Sequence, residues 1–138
     1  MTGSGNTTAV LLIYRPGSKP VTDVFFEELT SYLEVLALYK CQIVVTGDFN
    51  VHVERVGGAH SVRLNDIITS FGCVQNVLLV PTQREGGTLD LVITKSEQSI
   101  CELSVDPPSI FSDHSLIRWC IPLTHQPPIF ETREVRSW

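Results

Sequence analysis

The chain has 138 residues, 43% hydrophobic and 18% charged, with a formal net charge of −5. That length suits one domain with a real core, and the acidic balance argues against a scaffold that coats nucleic-acid backbones non-specifically. No apolar run approaches the roughly 20 residues of a membrane span, and "MTGSGNTT" at the start lacks the basic and apolar regions of a signal peptide.

The expectation is therefore an intracellular protein, nuclear or cytoplasmic, without a membrane partner. Four cysteines, Cys41, Cys73, Cys101 and Cys120, are widely spaced with no CxxC pair. This argues against a zinc site or a disulfide framework and for buried or half-buried thiols in a reducing compartment.

Residues 1–8 are polar and read as a disordered start. "AVLLIY" (9–14) is a short apolar run closed by Arg15-Pro16-Gly17, the pattern of a buried strand ending in a turn. Phe25, Leu29, Tyr32, Leu33 and Leu36 then recur at helical spacing, with Thr22 or Asp23 placed to cap the helix and Glu27 and Glu28 in an early turn. "CQIVV" (41–45) is a second buried strand. A shorter helix is expected to open at Ser61, to carry Leu64, Ile67, Ile68 and Phe71 on one face, and to stop at Gly72. "NVLLV", "TLDLVIT", "SICELSV" and "SLIRWCI" follow as strands, and the tail at 124–138 loses periodicity and reads as extended or disordered. Alternating elements early and serial strands later predict a mixed α/β (α+β) sheet with helices on one face.

Polar residues interrupt this pattern at three places. In "VVTGDFNVH" an apolar run meets Gly47 and then Asp48, Asn50 and His52 at alternate positions. Gly47-Asp48 can open a turn, or the alternate side chains of an extended segment can converge on one ligand. In "GGTLDLVIT" Asp90 stands alone in an apolar strand, where an unpaired carboxylate costs several kcal/mol unless it faces water at an edge. In "IFSDHSLIRW" Asp113 and His114 sit just before a strand, Asp113 being also a candidate turn cap. Carboxylates, an amide and an imidazole gathered at strand ends are the inventory of metal-assisted phosphate chemistry. His52 and His60 have no such support and read as loop histidines.

The ordered set "LIYRPGS", "VVTGDFNVH", "GGTLDLVIT" and "FSDHSLI" resembles the endonuclease/exonuclease/phosphatase superfamily, and within it the endonuclease domain of non-LTR (LINE-type) retrotransposon polyproteins. The resemblance covers about Ala9 to Leu123 and implies half of the four-layer αββα sandwich of the DNase I-like fold, with a mixed, mostly antiparallel sheet. It implies that Tyr14 orients a phosphate or the catalytic Asp, that Asp48 holds or activates the attacking water, and that Asn50 steadies that water and the phosphoryl oxygens. Asp90 would orient His114 and favour its cationic form, and His114 would stabilise charge on the phosphate. Asp113 would bind a divalent cation, magnesium, and Thr82 would lie near the substrate.

The family's first half supplies an asparagine and a metal-binding glutamate for which this sequence shows no counterpart ahead of Tyr14. The expectation is a truncated domain over 9–123 that binds magnesium weakly and retains little or none of an ancestral DNA phosphodiester hydrolysis. Its partner would be an N-terminal half, or a second copy meeting an apolar sheet face left partly bare along "AVLLIY" and "TLDLVIT". The alternatives are a phosphatase-type relative acting on phosphorylated small molecules or lipids, and a non-catalytic interaction module.

Overall fold

The computed structural model describes residues 7–77, 79–98, 100–110 and 112–122. The expectations for residues 1–6 and for the tail at 124–138 lie outside the described residues. The first apolar run forms strand β1 (Thr8–Tyr14), and it begins at Thr8, which is buried, so the expected disordered start does not reach that residue. Helix α1 (Asp23–Leu36) buries Phe25, Phe26, Leu29, Leu33 and Leu36 along one stripe. Thr22 occupies the N-cap position with extended backbone, but its side chain makes no capping hydrogen bond.

Strand β2 (Gln42–Asp48) pairs parallel with β1, and it runs three residues beyond the apolar run that marks it, ending on Asp48 itself. Helix α2 (Ala59–Ser70) opens two residues before the expected Ser61, because the Ser61 hydroxyl donates back to the carbonyls of Arg55 and Gly58 instead of capping a free N–H. Arg63 on α2 lies 4.7 Å over the Phe26 ring and pairs with Asp23, tying the two helices together.

Strand β3 (Cys73–Gln75) falls ahead of the expected "NVLLV" strand, and the described residues of that segment form no strand. The Gln75 side chain explains this: its Oε1 accepts the Val77 N–H at 2.6 Å and its Nε2 donates to the Val77 carbonyl at 2.8 Å, which turns the chain off the ladder. Strand β4 (Asp90–Lys95) completes a sheet of order β1-β2-β4-β3, parallel only at β1–β2. Strands β5 (Cys101–Asp106) and β6 (Leu116–Cys120) form a separate antiparallel ribbon.

Both helices cover one face of the sheet, where Ile43 and Val45 join Phe25, Leu29 and Leu64 in the main core. The opposite face is ordered by register. Val10, Val44 and Thr94 form one cross-strand row, Leu12, Thr46 and Val92 the next, and Tyr14, Asp48 and Asp90 the last. Leu103, Val105, Ile117 and Trp119 of the ribbon pack over Val44 and Val92. The expectation of a bare apolar face is therefore corrected for "TLDLVIT": Val92 is fully buried because the ribbon folds back over it, and Thr94 is fully buried with its hydroxyl accepting from Asn76 Nδ2 at 3.0 Å. On β1, Leu12 and Tyr14 are exposed. The architecture is a DNase I-like half-sandwich, helices on one side and strands on the other. No helix among the described residues is long and apolar enough to cross a membrane.

Candidate active site at the end of the sheet

The last row of the second face carries the candidate site. Asp48 ends β2 and Asp90 opens β4 directly opposite it, so two half-buried carboxylates leave the sheet on the same side. Gly47 makes this approach possible. Its φ is +133°, and a Cβ there would stand 2.9 Å from the carbonyl carbon of Ile13 on β1 and closer still to its oxygen. The chain then departs from extended geometry. Asn50 takes φ of +50°, so alternation breaks and Asp48, Asn50 and His52 do not share a face.

Arg15 holds this departure in place. It is 3% exposed, and its guanidinium donates to the carbonyls of Phe49 at 2.8 Å, Lys19 at 2.6 Å, and Asn50. In return the Asn50 amide donates to the Arg15 carbonyl at 2.7 Å, which commits its Nδ2 to the turn after β1. The Asn50 backbone N–H donates to Asp48 Oδ1 at 3.0 Å and fixes that carboxylate's orientation. Arg15 is a residue that sequence reasoning missed. Beside Pro16 and Gly17 it has the look of an exposed turn residue, and no local signal marks its burial.

His114 arrives from the loop before β6. The segments 82–84 and 113–115 run antiparallel: Gln83 bridges to His114, the Ser115 N–H donates to the Thr82 carbonyl at 2.7 Å, and the Arg84 N–H donates to the Asp113 carbonyl at 2.6 Å. Thr82 is fully buried behind the Asp90 strand end. Its hydroxyl accepts the N–H groups of Leu89 at 2.9 Å and Asp90 at 3.1 Å. One residue thus positions both the Asp90 strand end and the His114 loop.

His114 Nδ1 donates to Asp90 Oδ2 at 2.7 Å, while Nε2 lies 3.6 Å from Asp48 Oδ2. The imidazole is therefore bracketed by two carboxylates. Burial alone would lower its pKa, but the Asp90 hydrogen bond and the charges of Asp90, Asp48 and Asp113 outweigh this and hold it above its ordinary value. Burial, then the charge of Asp90, raises the Asp48 carboxyl, against the opposing pull of the Asn50 N–H, His114 and Arg15.

Tyr14 and Asp113 lie beside this trio, and the two remaining histidines, which were not expected in the site, lie elsewhere. Tyr14 is exposed in the same cross-strand row as Asp48. The Asp113 side chain is exposed and accepts from Gln83 Nε2 at 3.1 Å. His52 bonds Glu54 at 2.8 Å, and Glu54 in turn accepts the Thr88 N–H at 2.7 Å, so this histidine braces the Gly86-Gly87 turn. His60, expected in a loop, lies instead in the first turn of α2, exposed and 6.2 Å from the Phe26 ring.

The donor set fits a hard divalent cation in part. Ligand atoms of Asp48, Asp90 and His114 all lie within 4.8 Å of one another. Two carboxylates whose charges oppose each other suit a cation, whereas an imidazole held towards its protonated form competes with one.

A sheet end presenting two carboxylates bracketing an imidazole, on a DNase I-like half-sandwich, defines a site of the phosphodiester-hydrolase type. The family model described as endonuclease-reverse transcriptase matches residues 8–118, and the chain belongs to that family, within the endonuclease/exonuclease/phosphatase superfamily linked to retrotransposon endonuclease domains. Membership supports interaction with nucleic acid in general. No curated protein matches the chain.

Proposed function

We propose that the chain binds DNA and hydrolyses its phosphodiester bonds with magnesium, at a low rate. The observation that supports this reading best is the Asp48–His114–Asp90 arrangement, with the imidazole held between carboxylates at 2.7 and 3.6 Å. Magnesium held by Asp48 and Asp90 would supply positive charge to the phosphoryl oxygens and acidify the attacking water.

The chain's own residues do the rest. Asp90 fixes the ring of His114 and favours its cationic form, and His114 stabilises the negative charge that builds on the phosphate. Asp48, oriented by the Asn50 N–H, takes the proton of the attacking water. Arg15 and Thr82 hold these groups in place from behind. The rate is low because two carboxylates are few oxygens for an ion that demands octahedral geometry, and because the Asn50 amide is turned into the β1 turn.

Conversion of supercoiled plasmid to the nicked form, in magnesium and in EDTA, tests this. The purified chain should nick slowly in magnesium only, and His114→Ala should lose about 100-fold or fall to background. Nicking that survives His114→Ala would overturn the assignment. Phosphate release from phosphorylated inositols in place of nicking would favour a phosphatase. Neither activity, together with no saturable magnesium effect on the amide NMR signals of Asp48 and Asp90, would leave an interaction module.

A further inference from the structure

The β5–β6 ribbon brings together two thiols that lie 19 residues apart in sequence. Cys101 sits directly opposite Cys120 in the antiparallel ladder, and both are exposed, which corrects the expectation of buried or half-buried thiols; Cys73 is buried and Cys41 half-buried. Directly opposed residues on antiparallel strands have Cα atoms about 4.5–5.5 Å apart, within the roughly 4.4–6.8 Å that a disulfide bridges. Their side chains also leave the ribbon on the same side.

The sulfurs already contact each other's surroundings. Cys101 Sγ donates to the Cys120 carbonyl at 3.5 Å, and Cys120 Sγ donates to Glu102 Oε2 at 3.3 Å. Glu102 has φ of +55°, and the ladder shifts register between Cys101 and Ser104. That irregularity lets the residue after Cys101 reach across to the thiol of the facing strand.

We propose that Cys101 and Cys120 are a redox-responsive pair that closes to an intrachain disulfide across the ribbon when it meets a low-molecular-weight disulfide. Cys101 attacks one sulfur of the small disulfide, which releases one small thiol and leaves a mixed disulfide. Cys120 then attacks the Cys101 sulfur and releases the second small thiol. The two protein thiols are oxidised, the small disulfide is reduced to two thiols, and both protons end on those thiols. The Glu102 carboxylate, by accepting the Cys120 S–H, holds that thiol above its ordinary range and reserves it for the second step. The closed loop contains Asp113 and His114, so the bridge would tie down the ribbon that carries the imidazole loop.

Incubation of the purified full chain with oxidised glutathione, followed by alkylation in denaturant and peptide mapping, tests the pair without reference to any activity. Alkylation should be confined to Cys41 and Cys73, with the Cys101 and Cys120 peptides joined and the chain monomeric on a non-reducing gel. The bridged form should melt higher by about 5–10 °C and return to the original value with dithiothreitol. Cys101→Ser and Cys120→Ser should each stay open, and Glu102→Gln should close faster. Continued alkylation of both thiols, a covalent dimer, a bridge to Cys41 or Cys73, or a persistent glutathione adduct on Cys101 would overturn the proposal. A bridged form that melts lower would show that the native register does not accept the bond, and Glu102→Gln closing no faster would remove the role given to Glu102.

Discussion

Gly47→Ala isolates what the "GDFN" glycine does. At φ +133° a side chain is strained wherever it sits, which costs about 1–3 kcal/mol. The added Cβ would also stand 2.9 and 3.0 Å from the Ile13 carbonyl carbon and nitrogen. Those are backbone atoms of the paired strand, so relief requires β1 to move away from β2. Each ladder bond weakened near Ile13 and Tyr14 adds about 0.5–1.5 kcal/mol. The sum is about 3–5 kcal/mol, a large part of the roughly 5–15 kcal/mol that holds a domain together. Urea unfolding followed by circular dichroism measures it. Gly72→Ala is the control, since Gly72 also has positive φ, +70°, but nothing lies within 4 Å of the added Cβ; its cost should be about 1–2 kcal/mol. Equal losses for the two variants would refute the claim that strand contact, and not backbone angle alone, demands glycine beside Asp48.

Thr82→Val keeps the shape but strands the buried N–H groups of Leu89 and Asp90, so it should cost about 1–3 kcal/mol in thermal melts while Thr82→Ser stays near wild type. Arg15→Met removes donors to the carbonyls of Lys19, Phe49 and Asn50, and should cost at least about 2 kcal/mol. Hydrogen exchange should quicken at the Arg15 N–H, which bonds the Asp48 carbonyl; unchanged exchange there would contradict the clamp. In EDTA, stability should fall as pH rises. The native state holds the His114 proton more tightly than the unfolded chain, so that contribution is complete below the ordinary value of 6.5 and is lost as pH climbs through the raised native value. Asp48 acts in the same direction from its ordinary 3.8 upward. Urea midpoints at about pH 6 and about pH 8.5 measure the upper part, which His114→Gln should flatten; an unaltered slope would assign the dependence to other groups.

The parts of this molecule that were legible in the sequence are those whose signal is local. Helical spacing marks α1 because Phe25, Leu29, Leu33 and Leu36 bury one stripe. Asp90 stands out because a carboxylate in an apolar strand needs a partner or an edge, and the family resemblance implied His114, which it meets at 2.7 Å. What stayed hidden depends on contacts between distant segments. The burial of Arg15 requires carbonyls from two loops, and the departure of Val77 from the ladder requires one amide side chain to take over its backbone bonds. The covered second face depends on where the ribbon folds back, which no window within β5 or β6 encodes. The same division runs through the site itself. Residue types mark Asp48, Asn50 and His114 as candidates for phosphate chemistry, but positive φ at Asn50 decides which way its own amide turns. That angle turns the Asn50 amide towards the Arg15 carbonyl, while its backbone N–H steadies Asp48. The "GDFN" motif thus acts here as much through its main chain as through its side chains, and a test of Asn50 by side-chain truncation would read out the β1 turn together with whatever the amide does to a substrate.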